Sequence, residues 1–540
     1  MGKQADLKRA QTGLESRISW FVLVLLTIQP LLDVMSYFLN LQGKTAISTL
    51  LRFGLLAVVA LVGFLLTKAK KMYLLLFGVV ALFWAAHVLN CWRIGYTSFV
   101  QDTGNLLRML NFPIYVMTFL VILQRDPDQR RWFFLGTAIA FGEIVLFTAI
   151  PWLTGNPVYT YEQIQVGVLG WFAVPSAQSA ILVLTVPLVI YWAYSAKKYW
   201  LYLLALILTF GLLYVTGTKL NYYSIFIIAG AYGFLFVLQL GKRCLKYALP
   251  MVLILALAVA FRAQSPMMTR EDMTRFSQWV YGNMLEDSLE NSGADDTVRE
   301  MIRGGGKEQK EDQDEPVLPP EKSMERMRRA LMGIYSDTGV YGVLTSSLNQ
   351  RFGVYNVMQT YSHTDAQGIL SNTRERKLNH AQMMWAEKDT LTHILGFEYS
   401  DFLCGKDIFD PENDFPAVFY NMGYLGFALY MGFLGLFFFW VLRGLAGDLS
   451  RGVQAARAEG KGKWTALPLG LWQGLRSFLS VELGAVGMSF LLAIIAAQIS
   501  GNVLRRPNVT IYFAIGAAAV YSLTAWKKGP ALGGPRKPRT

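Results

Sequence analysis

Runs of about twenty apolar residues follow one another along most of this chain, and that spacing limits the fold more than any single motif. Stretches such as Trp20–Leu39 and Ile47–Thr67 are long enough to cross a hydrocarbon core of roughly 30 Å as helices. Backbone polar groups have no water to bond in lipid, so only helices or closed barrels can span it, and the alternating pattern of a barrel is absent. About twelve spans are expected, at 18–39, 47–67, 72–92, 104–124, 132–153, 168–194, 199–217, 221–240, 246–262, 416–442, 477–500 and 508–526. The fold class is therefore an all-α polytopic membrane protein. A hydrophobic content of 53% over 540 residues and a mean hydropathy of +0.34 exclude an ordinary soluble domain.

One polar segment interrupts the pattern. Residues 263–415 form a loop between the ninth and tenth spans, and every other connection is short. Three regions follow: spans one to nine over 1–262, a loop domain over 263–415, and spans ten to twelve with a basic linker and tail over 416–540. The clusters Lys3/Lys8/Arg9/Arg17, Lys68/Lys70/Lys71, Arg125/Arg130/Arg131, Lys197/Lys198, Lys242/Arg243/Lys246, the 443–476 segment and the Lys527–Arg539 tail fall on alternate connections. Because Lys and Arg near span ends stay cytoplasmic, both termini are expected inside and the loop outside. The first span has no small-residue cleavage site and is expected to remain as an anchor.

The charge follows the same partition. The loop holds 16 Lys and Arg against 26 Asp and Glu, a net −10, so with a chain total of +13 the remainder carries +23. This positive charge reflects topology, and nucleic acid is not an expected partner. Three cysteines, Cys91, Cys244 and Cys404, are too few and scattered for a disulfide framework or a thiolate metal site.

Within the loop, 286–323 is rich in charge, Gly and Pro, the composition of a flexible insert. Met327, Ala330, Leu331 and Ile334 then share a helical face, suited to the membrane surface or to packing on the loop. Leu378, Ala381, Met384/Trp385 and Lys388 mark another helix, followed by a turn at Gly396. "DPENDFP" is a polar turn leading directly into the tenth span, so its acidic residues sit at the water–lipid boundary. The basic, Gly-rich 443–475 reads as a solvated or anionic-lipid-facing linker.

Ionisable residues inside spans are costly and mark function by default. Asp33, Arg52, Arg108, Glu143 and Glu482 are such residues. A structural ion pair of Asp33 with Arg52 and an anion-binding role for Arg52 are both open. Lys219, in the "VTGTKLNYYS" hairpin, is either a span-end lysine with its stem in the apolar layer or a cation facing substrate.

With these residues assembled, the chain resembles the O-antigen ligase and polymerase superfamily. "TGTKLNYYSI" is similar to that family's Ser/Thr-Arg-Gly stretch, with Lys219 in the arginine place. "RERKLNHAQMMWAE…HILGFEYSDF" resembles its loop helix and following Gly-x-Gly-like turn, here Gly396-Phe397-Glu398. "ENDFPAVFYNMGYLGFALY" resembles the element where many members carry His-Asn before a Gly-x-x-Gly span. Here Glu412 replaces the histidine and Asp414 follows two residues on, similar to an acidic variant. The loop histidines His380 and His393 do not occupy the motif, and His380 is expected on a helix surface.

The resemblance implies a GT-C-like architecture in a bacterial cytoplasmic membrane. It also implies metal-independent, inverting transfer without a cofactor, from a polyprenyl-diphosphate-linked glycan donor to a glycan or lipid-glycan acceptor. Such chemistry needs cations for the diphosphate and a carboxylate for the acceptor hydroxyl. Lys219 with Arg374 or Arg376, and Arg52 beside them, are the expected diphosphate-binding residues, and Glu412 or Asp414 is expected to orient or deprotonate the acceptor hydroxyl, with partial burial raising a carboxyl pKa toward a useful range. A helix N-cap made by Asn413 or Asp414 would also explain "END". A transporter or lipid flippase is the alternative, though no repeat relates the halves. A scaffold that uses the acidic insert for partner binding is a third reading.

Overall fold

The computed structural model describes residues 2–291, 348–353, 356–357, 360, 373–404, 407–459, 462–501 and 503–525. All twelve expected spans coincide with helices. They are α1 (Gly2–Leu41), α2 (Thr45–Leu66), α3 (Lys70–Ile94), α4 (Phe99–Arg125), α5 (Arg130–Leu153), α6 (Pro175–Ser195), α7 (Tyr199–Val215), α8 (Lys219–Leu240) and α9 (Cys244–Ala260), then α13 (Asp414–Ala458), α15 (Val481–Ile499) and α16 (Pro507–Ala525). Among the described residues, ten segments are long and apolar enough to cross a membrane; one of them, Lys219–Ala260, comprises α8 and α9 around a 3-10 turn, and Tyr199–Val215 is a shorter apolar helix. The chain is an all-α, multi-pass membrane protein.

Between α9 and α13 lie α10 (Pro266–Asn291), α11 (Thr373–Glu387) and the short α12 (Thr390–Leu395), then a two-residue antiparallel ladder of β1 (Leu403–Cys404) with β2 (Asp407–Ile408). The helix expected around Met327–Ile334 lies outside the described residues, as does most of the 286–323 insert. The part of that insert that is described, 286–291, is the end of α10 rather than an irregular segment.

The chain divides into two compact units, with boundaries inside α3, α4, α10 and α13. The first contains Met1–Val79, Leu106–Thr269 and Ala428–Thr540. Its centre is formed by α6 and α16, in which most residues are buried, the pattern of a helix apolar on most sides and enclosed by others. Small residues let α15 and α16 approach: a Cβ on Gly516 would stand 3.3 Å from the Phe490 nitrogen, and Ser489 Oγ donates to the Leu184 carbonyl of α6 at 2.8 Å.

Three of the flagged intramembrane charges, Asp33, Arg52 and Glu482, are paired here. Arg52 donates to Asp33 Oδ1 at 2.6 Å, Asn508 Nδ2 donates to the same oxygen at 2.9 Å, and Arg130 donates to Glu482 at 2.7 Å. The structural ion pair of Asp33 with Arg52 is thus realised. Each charge offsets part of the other's desolvation, which is severe for a lone ion away from water.

The described part of the 443–475 segment is helical rather than irregular. Helix α13 runs on to Ala458, and α14 (Lys463–Phe478) returns against it. A Cβ on Gly452 would stand 2.1 Å from the Gly470 oxygen and 2.6 Å from the Gly474 nitrogen, so the glycines provide a backbone-to-backbone seam rather than flexibility.

The second unit contains Val80–Asn105 and Arg270–Phe427. It joins the end of α3 and the start of α4 to the long loop and the first turns of α13. Its core is aromatic: Phe397 and Phe402 are fully buried, and Trp385 of α11 packs on Phe419, Tyr420 and Tyr424 at centroid distances of 4.8, 5.5 and 5.6 Å.

Candidate active site

The site is built where α11 meets the turn before α13. The apolar side of α11, with Ala381 and Met384 buried and Trp385 on the aromatic cluster, fixes that helix against α13. Three residues apart on the preceding turns, Arg374 and Lys377 share one face and reach the same carboxylate. Arg374 Nε donates to Glu412 Oε2 at 3.0 Å, and Lys377 Nζ donates to Glu412 Oε1 at 2.9 Å. The three side chains are about one-fifth to two-fifths exposed, so the cluster opens to solvent.

Burial pushes the Glu412 carboxyl up, but the hydrogen bonds and charges of Lys377 and Arg374 outweigh it and hold the group below the usual glutamate range. This differs from the sequence expectation of a raised carboxyl. As the structure stands, Glu412 is a clamped anion. Asp414, two residues on, is completely buried at the first position of α13. Asn413 is not the helix cap, since its side-chain oxygen is buried without a hydrogen-bond partner.

The glycines of "NMGYLG" have a backbone reason. Helix α13 breaks at Gly423, whose φ of 62° and ψ of −172° lie in a region open essentially to glycine alone. A Cβ there would stand 2.4 Å from the Gly396 nitrogen, and one on Gly396, itself at φ 84°, would stand 2.1 Å from the Asn421 oxygen. The turn after α12 and the broken start of α13 therefore cross in direct backbone contact. Gly426 makes room for the Phe83 ring, 2.6 Å from its would-be Cβ.

The same turn is tied to the start of α4. Glu398, 2% exposed, accepts from the backbone N–H groups of Thr97 at 2.7 Å and Ser98 at 3.0 Å, placing a carboxylate at the N-terminus of that helix. Tyr399 N donates to Asp102 Oδ1 at 3.1 Å, and Asn90 Nδ2 donates to Thr392 Oγ1 at 3.0 Å. The sequence reading missed His87, Asn90, Asp102 and Glu398 as anchors. The available signal was polar groups at the ends of two apolar runs.

His380 corrects another expectation. It is not on a helix surface but fully buried, stacked on Phe409 at 4.8 Å with Phe352 edge-on at 5.5 Å, because the small hairpin and residues near 352 cover that side of α11. Burial and then the Arg351 charge push its pKa down to about 3, and neither ring nitrogen has a hydrogen-bond partner. His393 Nε2 contacts the Trp385 carbonyl at 2.7 Å, a local brace.

The structure thus brings Arg374 and Glu412 together and adds Lys377, which the sequence reading had not selected. Arg376 lies in the first turn of the same helix. Lys219 and Arg52 belong to the first unit, where Lys219 is the first residue of α8 behind the Thr218 cap and Arg52 is engaged by Asp33.

Residues 15–449 match the family described as O-antigen ligase like membrane protein. The chain belongs to this family. No curated protein and no solved structure gives a significant match. Membership brings with it membrane glycan ligase or polymerase activity as the general class, and a lipid-linked glycan as the kind of substrate.

Proposed function

We propose that this O-antigen ligase like protein transfers or polymerises a polyprenyl-diphosphate-linked glycan onto an acceptor hydroxyl at the outer face of a bacterial cytoplasmic membrane, by metal-independent inverting displacement. The observation that carries the reading is the Glu412 carboxylate, standing at the family's histidine position and held by Arg374 and Lys377.

In the reaction, the acceptor oxygen forms a bond to the anomeric carbon as the bond from that carbon to the diphosphate breaks. The acceptor proton passes to a carboxylate, and the leaving polyprenyl diphosphate keeps the electron pair. Arg374 and Lys377 are suited to that anion, because guanidinium and ammonium groups stabilise phosphate charge directly. A bound diphosphate, more highly charged than one carboxylate, competes with Glu412 for them. Once the cations turn to the donor, burial is the influence left on Glu412, and its pKa rises toward that of a useful base. Asp414 is the second candidate base, and Arg376, Lys219 and Arg52 complete the proposed cation set. Arg52 would have to exchange its bond with Asp33 to take part.

The test is a transfer assay in membranes with purified lipid-linked donor. Glu412→Gln, Asp414→Asn and Arg376→Ala should each lose product while remaining inserted. Normal turnover in both acidic variants would remove the base assignment, and movement of labelled lipid without a new glycosidic bond would point to transport.

A further inference from the structure

His87 is enclosed in the second unit between two acceptors. Nδ1 lies 2.7 Å from the Leu395 carbonyl oxygen, and Nε2 lies 3.0 Å from Asp102 Oδ2. A carbonyl oxygen only accepts, so Nδ1 carries the hydrogen, and the neutral ring then has a bare lone pair on Nε2. That lone pair faces a carboxylate oxygen, with His87 0% and Asp102 2% exposed. The two repel unless a positive charge lies between them.

A third group converges on the same point. Cys91, one helical turn beyond His87 and also 0% exposed, places Sγ 3.5 Å from Nε2. The three donor atoms lie within 4.8 Å of one another. We propose that His87 Nε2, Cys91 Sγ and Asp102 Oδ2 bind a divalent transition metal, zinc being the ion that suits a nitrogen, sulfur and oxygen donor set.

Four features support a metal over a proton. A proton between Nε2 and Oδ2 joins two of the groups, and a thiol hydrogen donated across the 3.5 Å contact to Nε2 joins another two, whereas a metal uses all three. Bonds of about 2.0–2.3 Å at tetrahedral angles separate ligand atoms by roughly 3.3–3.6 Å, near the spacings of both Nε2 contacts. The other ring nitrogen is committed to a backbone carbonyl, the usual partner that orients a metal-binding histidine. The carboxylate is also held in place, accepting from the Tyr96 hydroxyl at 2.7 Å and from Tyr399 N at 3.1 Å.

Binding releases the Cys91 thiol proton to solvent. A dication, a thiolate, a carboxylate and a neutral imidazole then sum to zero, which suits a site closed to bulk solvent. The ligands come from α3 and α4, and their partners Leu395 and Tyr399 flank the Gly396 turn. The metal would therefore brace the turn that meets α13. This role is independent of the catalytic reading.

The full-length protein, purified in detergent without chelator, should contain about one zinc per chain by elemental analysis. Exchange for cobalt should give a thiolate-to-cobalt charge-transfer band that is lost in Cys91→Ser and retained in Cys244→Ser. Wild-type protein with neither zinc nor, after cobalt is supplied, that band would overturn the site. A band that persists in Cys91→Ser would overturn its assignment to this cysteine.

Discussion

Gly396 and Gly423 meet backbone to backbone: a Cβ on Gly423 would stand 2.4 Å from the Gly396 nitrogen and 2.5 Å from the Ile394 oxygen. No flexible side-chain end is available to yield. Gly423→Ala must therefore move the main chain as well as accept a strained φ, at a cost on the order of 3 kcal/mol. Thermal unfolding in detergent should show a large loss for Gly423→Ala. Gly435→Ala, in the same helix with nothing within 4 Å of its would-be Cβ, should be near neutral. Equal melting temperatures for the two variants would contradict the crossing.

The ion pairs of Glu412 are partly exposed, so their net worth is on the order of 1 kcal/mol or less. Glu412→Gln should accordingly melt close to wild type at pH 7 while losing transfer by about a hundredfold or more, the scale of general-base loss. The pH dependence has a fixed sign. The folded-state pKa is depressed, so the contribution is present above the ordinary value near 4.5 and is lost as pH falls through the lower folded value. A melting series below pH 5 should show wild type losing stability relative to Glu412→Gln. Parallel curves would mean that the carboxylate is not held as described.

The spans were legible because an apolar run of membrane length can form little else, and twelve runs became twelve helices. The acidic turn was legible for a related reason: charge directly before such a run has to sit at its end. Lys377 was missed because a lysine on a polar helix face is ordinary in sequence, and only the fold shows that it shares Glu412 with Arg374. The surface assignment of His380 failed because its cover comes from the hairpin and from residues near 352, contacts that helical periodicity does not encode. The helices of the 443–475 segment were not legible because glycine serves close helix approach there, and composition alone does not separate that use from flexibility.

His380 gives a prediction of opposite pH sign to a solvent-exposed histidine gaining an anionic partner. Its folded pKa, near 3, lies below the ordinary 6.5, so the unfolded chain binds the extra proton first. Stability is therefore complete above about pH 6.5 and declines progressively toward pH 3. His380→Phe fits the surrounding rings and removes this penalty. It should melt at or above wild type at pH 7, gain further on it as pH falls toward 4, and retain transfer activity. Loss of transfer with unchanged melting would instead make His380 a participant in the chemistry.

Glu398 satisfies two N–H groups at the start of α4 from a nearly inaccessible position. Replacing it by alanine leaves both donors without their carboxylate, at a cost of about 1–3 kcal/mol for each buried group that water does not reach. Glu398→Gln can accept through only one oxygen and should fall between wild type and alanine. Because the bond ties the Gly396 turn to α4, its weakening should be local. Limited proteolysis should cut the long loop faster in Glu398→Ala than in wild type, while cleavage elsewhere is unchanged. Unaltered loop cleavage in a variant whose melting temperature has dropped would show that Glu398 supports the whole second unit rather than this turn.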